Sequence, residues 1–388
     1  MNLPDGTVAP LAGIRVVEMG TVITAPLAAR LVGEFGAEVI KVEKPKGGDT
    51  FRNFYTGPES PIFDAYNKSK KSITLDIKDA ISKEQFRHLI QTADVLLDNF
   101  RPGVLTRLGF SWDILHALNP RLIHCSITGF GKDGPYAHRP SFDTVTLALS
   151  GIAASQLDPQ NPRFTGPTVS DNVTGMYAAL GILGALYERS VTGIGRRLEI
   201  NMLEASIAFI PDHYSNYLAG LTPRPNSRAA LSQCFAGTCR DGKLIAIHLS
   251  SQEKFWLGML TVLGLIDLKD DERFRTRADR YKYYFELTAI VDGALKANDR
   301  GKWMAALEAA DVPFAPIYSV AESLEDEQAR HLGTFVRLQL ADGTPGVSIR
   351  SPIWVDGKRM KTPARAPMLG EHNQEFTTDG PIKMEADK

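Results

Sequence analysis

The first 130 residues alternate short β-branched apolar runs with longer stretches in which apolar positions recur every three or four residues. The runs at 14–18, 39–42, 72–77, 95–99 and 122–128 predict strands. Between the first two, residues 26–35 predict a helix, with Pro26 early in the segment and Gly36 just after it. Strand, helix and strand in that order make a βαβ unit, which requires a right-handed crossover between parallel strands. The repeated alternation predicts an open α/β sheet with helices on both faces.

Further on, 172–189 has strong helical spacing, starting from Asp171. Residues 198–217 read as a strand end followed by another long helix. The Pro- and Arg-containing stretch 222–232 reads as a boundary, 243–248 as a strand, and 252 to about 310 as a mostly helical, more charged second domain. The tail after Val320 returns to short strands and Gly/Pro turns.

Composition narrows the picture. With 388 residues, 43% hydrophobic and 23% charged, the chain can bury a sizeable core and holds about two to three domains. Lys+Arg 44 against Asp+Glu 45 leaves a net charge of -1, which argues against general nucleic-acid or anionic-membrane binding. Three cysteines, Cys125, Cys234 and Cys239, supply neither a disulfide framework nor a zinc site, and are expected to be buried thiols. The longest apolar run, 176–187, is too short to span a bilayer, and the N-terminus has no secretory pattern. The expectation is a soluble, cytoplasmic protein.

Ligands in open α/β sheets bind beyond the carboxyl ends of the strands. Three predicted strand ends carry polar punctuation: Glu43 through Asp49, Asp98 through Gly103, and Thr128 through Pro135. Cations gather nearby: Lys41, Lys44, Lys46, Lys68, Lys70, Lys71, Lys78, Arg101 and Arg107. Such a grouping in a chain without net positive charge suits a phosphorylated ligand, although loop charge is commonly just solvated surface. No GxSxG, HExxH or P-loop pattern occurs, and the first βαβ unit lacks the GxGxxG that a Rossmann enzyme would carry there, so a dinucleotide cofactor is not expected. Of the eight histidines only His138 lies near the suspected cleft. From spacing alone Asp171 reads as an N-cap, a role worth about 1 kcal/mol. The alternative is a carboxylate facing a cleft, with helix N–H groups beside it that would stabilise an oxyanion.

The order of motifs resembles the class III (CaiB/BaiF) CoA-transferase family over nearly the full chain. The carrying segments begin with 11–18 (LAGIRVVE), 35–43 (FGAEVIKVE), 67–78 (NKSKKSITLDIK) and 94–109 (DVLLDNFRPGVLTRLG). They continue with 126–135 (SITGFGKDGP), 171–186, 193–205 (GIGRRLEINMLEA) and 367–372 (PMLGEH). The resemblance implies a large Rossmann-like α/β domain built from both chain ends (1–221 and 325–388), with a smaller α+β domain inserted at 222–324. Two such subunits would interlock as a homodimer. It implies transfer of coenzyme A from an acyl-CoA to a carboxylic acid, with acyl-CoA as substrate and no tightly bound cofactor. Asp171 falls on the nucleophile's position. There it would pass through a mixed anhydride and an aspartyl-CoA thioester. CoA contacts are carried over to Val22, Lys44, Leu75, Lys78, Asn99, Phe100 and Arg107, with the cations meeting phosphates and Phe100 and Leu75 flanking the adenine.

Two departures bear on substrate. The oxalate- and formate-using branch has a glutamine where this chain has Ile23, and a glycine run where this chain has residues 223–228 (PRPNSR). Formyl-CoA and oxalate are therefore not the expected substrates. Arg224 or Arg228 would pair with a substrate carboxylate, or else solvate a linker. A racemase of the same family places a histidine before the aspartate in the Arg-Pro segment; here 139–143 reads RPSFD, and Phe142 stands in its place. Phenylalanine cannot exchange a proton. A non-catalytic acyl-CoA-binding subunit is the third reading, against which Asp171 itself argues.

Overall fold

The computed structural model describes residues 9–55, 60–158, 160–220, 227–340 and 343–376. Arg224, one of the two arginines singled out above, lies outside them.

Six parallel strands form the main sheet: β1 (Arg15–Glu18), β2 (Glu38–Glu43), β3 (Lys71–Thr74), β4 (Val95–Asp98), β5 (Ile123–Thr128) and β6 (Arg197–Asn201). Their spatial order is β3-β2-β1-β4-β5-β6. The chain thus winds outward from β1 in one direction, returns, and winds outward from β4 in the other. The seam between β1 and β4 is where the winding reverses, the place at which such sheets open a crevice.

Helices cover both faces. On one face, α1 (Thr24–Glu34) lies against the strands, and Ala25, Ala28, Ala29 and Val32 enter a core with Val16, Val95, Ile123 and Ile127. On the other, α2 (Ala80–Thr92) contributes Phe86, Leu89 and Ile90 to a core with Val17, Ile40, Ile73 and Leu96. The strands alternate apolar residues to both faces, as a sheet buried on both sides requires. Next come a short helix α3 (Asp143–Leu149), the long α4 (Val169–Thr192) and α5 (Met202–Phe209). The expected strand end and single helix at 198–217 is in fact a strand and two helices, because Pro211 starts a new helix after Ile210.

Contacts divide the chain into two compact units. The first holds the described residues of 1–154, 162–214 and 331–388; the second holds those of 155–161 and 215–330. The second has its own three-stranded antiparallel sheet, β7 (Cys234–Thr238), β8 (Leu244–His248) and β9 (Phe314–Pro316). Its core is formed by α6 (Glu253–Leu263), α7 (Tyr284–Leu295) and α8 (Arg300–Ala309) through Trp256, Leu260, Leu287, Val291, Trp303 and Leu307. Cys125 and Cys239 are buried, whereas Cys234 is only half-buried, a correction to the expectation for that thiol.

The returning segment adds a two-stranded antiparallel ribbon, β10 (Phe335–Gln339) and β11 (Pro345–Ile349). Farther on, it reaches the outer edge of β3. His372 N–H donates to Ser72 O (2.9 Å), Ser72 N–H to His372 Nδ1 (3.2 Å) and Thr74 N–H to Asn373 Oδ1 (2.8 Å). An edge strand that would otherwise present unpaired donors is thereby closed by side chains. No helix among the described residues is long and apolar enough to cross a membrane.

Candidate active site

A cavity of about 300 Å³ opens at the carboxyl ends of the strands on either side of the seam. Thr21–Thr24 line it from the loop after β1, Asn99–Pro102 from the loop after β4, and Ile127–Gly129 from the end of β5. Arg139–Phe142 close another wall, with Met202 and the Asp171 carboxyl. Asp171 and three of the carried-over contacts, Val22, Asn99 and Phe100, thus meet at the crevice expected of this topology.

The loop after β1 is held in an unusual backbone. Val22 has φ +70°, a left-handed conformation that a β-branched residue rarely adopts. Its N–H donates to Asp49 Oδ1 (3.2 Å). Asn99 grips the adjacent residue on both sides: its Oδ1 accepts from Thr21 N–H (3.0 Å), and its Nδ2 donates to Thr21 O (2.7 Å) and Thr24 Oγ1 (3.0 Å). The Asn99 side chain therefore spends its polar atoms on shaping the pocket. Asp49 is in turn fixed by Lys41, whose Nζ lies 3.0 Å from Asp49 Oδ2 and 2.9 Å from Glu18 Oε1.

That buried lattice corrects the expected cation cluster. Lys41 is buried on Glu18 and Asp49, and Lys70 on Glu18 and Asn67; Lys68 pairs with Asp64, and Lys71 with Glu38 and Glu375. Burial pushes Lys41 down, but Glu18, Asp49 and Glu43 outweigh it and hold the ammonium charged. Burial, with Lys41 nearby, pushes Lys70 down to about 8 despite the pull of Glu18. Lys41, Lys68 and Lys70 are buried and Lys71 is half-buried, all four on partners within the chain, and the sequence could not separate them from solvent-facing ones because both sets flank the same strands. Lys44, Lys46, Lys78, Arg101 and Arg107 are exposed. Leu75 is buried in the core under β3, so its side chain offers little to a ligand. His138 is exposed and does not line the cavity, although its neighbours Ala137 and Arg139 do.

Asp171 is not a cap. The N-cap position of α4 is Thr168, whose side chain makes no capping bond, and Asp171 is the third helical residue. The carboxylate meeting the helix N-terminus is Asp143, at the start of α3: its Oδ1 accepts from Asp171 N–H (3.2 Å), with the Ser170 N–H beside it. That N–H is consequently taken by Asp143 and is not available to an oxyanion. The Asp171 side chain is left free of capping and faces the cavity while only 8% exposed. Burial, and then the Asp143 charge, raise its carboxyl to about 7. Asp143 itself is raised by burial, opposed by the two N–H groups. Sequence reading passed over Asp143, though it stands in the segment examined for Phe142; the available signal was an acid at the first helical position after Arg139-Pro140.

One close approach sets the height of Asp171 against the β1 loop. A Cβ on Gly175, one turn further along α4, would lie 2.8 Å from Thr24 O and 3.0 Å from Leu27. Only glycine lets this end of α4 come so near the start of α1.

Three kinds of likeness bear on what the site belongs to. The sequence profile described as CoA-transferase family III matches residues 11–373. The succinate–glutarate CoA-transferase of Agrobacterium fabrum is 33% identical, covering 95% of each chain. The acetyl-CoA:oxalate CoA-transferase of Acetobacter aceti is 34% identical, covering 81% of this chain and 82% of its own. A crystal structure of a CAIB/BAIF family protein from Brucella suis superposes with a TM-score of 0.83 at 32% identity, covering 95% of this chain and 98% of that one. With a carboxylate in the seam of the sheet and a match that runs over residues 11–373, the chain belongs to CoA-transferase family III and is an enzyme that transfers coenzyme A.

Proposed function

We propose that the enzyme moves coenzyme A from an acyl-CoA to a carboxylic acid through covalent intermediates on Asp171. The observation that carries this is a buried, uncapped carboxyl facing the seam cavity, with its acidity weakened to about 7. Less hydrated than a surface carboxylate and more basic, it is the better nucleophile once ionised.

The steps exchange bonds of similar energy. An Asp171 oxygen attacks the thioester carbonyl and CoA leaves as thiolate, giving an Asp171–acyl anhydride. The thiolate attacks the Asp171 carbonyl, releasing the donor acid as carboxylate and leaving an aspartyl-CoA thioester. The acceptor carboxylate attacks that thioester and expels the thiolate. The thiolate then takes the acceptor's acyl carbonyl, and Asp171 is regenerated as carboxylate. No external energy source enters. The CoA phosphates are assigned to exposed Lys44, Lys78 and Arg107, with Phe100 against the adenine, while Val22, Asn99 and Leu75 act through backbone and shape.

Arg101 and Arg139 are the cavity's cations, and Arg139 stacks on Tyr136 at 3.9 Å. They suit an acceptor with a second carboxylate. The relatives are named for glutarate and for oxalate alike; Ile23, buried beside the cavity, supplies no amide for so small a diacid as oxalate. Racemisation lacks a second proton carrier: Phe142 stands at that wall, and among the described lining residues no histidine faces Asp171.

We further propose an interlocked homodimer with the small domain inserted in the large one. In support, Met176, Leu180, Tyr187 and Val191 make a stripe along α4 with exposures of 60%, 63%, 75% and 74%. A run of that length on one helix is unusual for a surface left to water.

The test is trapping. The purified chain alone is incubated with acetyl-CoA or succinyl-CoA and a panel of mono- and dicarboxylic acids. Transfer accompanied by a hydroxylamine-sensitive adduct on Asp171, read by mass spectrometry, is expected. Transfer with no modification of Asp171, together with an active Asp171→Asn variant, would sink the proposal.

A further inference from the structure

Asp143 and Asp171 come from different helices, and both are buried. Their separation is fixed by a chain of buried hydroxyls. Thr146 Oγ1 on α3 lies 2.6 Å from Ser170 Oγ on α4; Ser170 Oγ lies 2.6 Å from Ser206 Oγ on α5; and Ser206 Oγ donates to Met202 O (2.7 Å). Each of the three hydroxyl residues is fully buried. The chain locks the residue after Asp143's first turn, the residue before Asp171 and a wall of the cavity into one arrangement. A plain helix cap needs none of this, since one side chain accepting the free N–H groups is enough.

We propose that Asp143 is a positioning residue for the transfer reaction: it holds the first turn of α4 and stands as a like charge beside the nucleophilic carboxyl. The inference rests on Asp171 being that nucleophile. A like charge beside a buried carboxyl makes that carboxyl harder to ionise. The surroundings leave Asp143 as the group that matters. From α1, which packs on α4, the charged residues are Arg30 and Glu34, and these pair with each other. On α5, Glu204 is exposed and takes the Asn201 side chain. On β5, His124 pairs with Asp98; on β6, Arg197 pairs with Glu199. The cavity cations are Arg101 and Arg139. Of these groups, Asp143 is the one whose charge adds to what burial does to Asp171.

The substitution Asp143→Asn separates charge from geometry. Asparagine Oδ1 still accepts from the Asp171 N–H, so the turn is held, but the like charge is gone. The readout is the rate at which Asp171 is acylated by succinyl-CoA without an acceptor acid, followed by mass spectrometry between pH 5 and 8.5. In the wild type this rate rises with pH as Asp171 ionises, with its midpoint near about 7. In the variant the midpoint moves down by roughly half to one pH unit, so the rate at pH 5.5 increases relative to that at pH 8. The two proteins melt within a few degrees of each other. Asp143→Ala, which lacks the acceptor, lowers the melting temperature and the acylation rate at every pH. An adduct on Asp171 whose pH midpoint is the same in wild type and Asp143→Asn overturns the inference and leaves the mechanism standing. No adduct on Asp171 in the wild type, under conditions of measured transfer, overturns the mechanism and the inference with it.

Discussion

At the scale of single residues, the site depends on one carboxylate doing another's capping. An N-cap aspartate accepts backbone N–H groups and so becomes more acidic. Here Asp143 takes those bonds and Asp171 is left desolvated. That arrangement costs stability, in a direction that can be worked out. The Asp171 carboxyl has a reference value of 3.8 and is raised to about 7 in the fold, so between those values the folded state holds a proton that the unfolded chain has lost. Stability therefore falls as pH climbs through that window. Asp171→Asn is neutral throughout. We expect the variant to match the wild type near pH 4 and to exceed it at pH 8 by about 1–3 kcal/mol, while transfer falls by several orders of magnitude. Urea unfolding at pH 4, 6 and 8 measures the gap; one that does not widen with pH would contradict the raised acidity. Asp171 was singled out in the sequence as the proposed nucleophile because its segment is a motif. Its freedom from capping was not, since the capping partner comes from 28 residues away in the chain.

At the scale of elements, periodicity located the sheet well. Strands expected at 39–42, 95–99 and 122–128 are Glu38–Glu43, Val95–Asp98 and Ile123–Thr128, because β-branched runs buried on both faces have few alternatives. The helix expected at 172–189 runs three residues further in each direction, as Val169–Thr192. The signal for its true start was passed over: Thr168 stands three residues before Asp171, the spacing of a capping box, although in the fold Thr168 makes no side-chain capping bond. What no pattern conveys is how closely elements approach. Gly175 reads as a weak helix position, yet it is where α4 meets Thr24 O. Gly175→Ala would raise intrinsic helix propensity by roughly 1 kcal/mol. The new methyl, 2.8 Å from a backbone oxygen, must instead push α4 from α1. The expected net result is a loss of about 1–3 kcal/mol in chemical unfolding and a drop in transfer rate beyond what instability explains. An alanine variant as stable and active as the parent would show that the approach is looser than the geometry says.

At the scale of the whole molecule, one measurement bears on assembly. A stripe such as Met176, Leu180, Tyr187 and Val191 is expected to be covered by a second copy, so light scattering at micromolar concentration should give twice 42.6 kDa. A stable particle of 42.6 kDa would refute the dimer. Replacing Leu180 and Val191 with glutamate should weaken association before it affects the fold of the sheet. The edge of β3 carries a different consequence. Its donors at Ser72 and Thr74 are satisfied by His372 and Asn373, about 300 residues later in the chain. During synthesis at ~5–20 residues per second, that edge waits on the order of 15–60 seconds for its cover. The strand is thus born open and sealed late. For that interval the nascent chain carries an unprotected template for pairing with its neighbours on the same message, and a chaperone that shields strand edges has the most to do before the segment holding His372 and Asn373 leaves the ribosome.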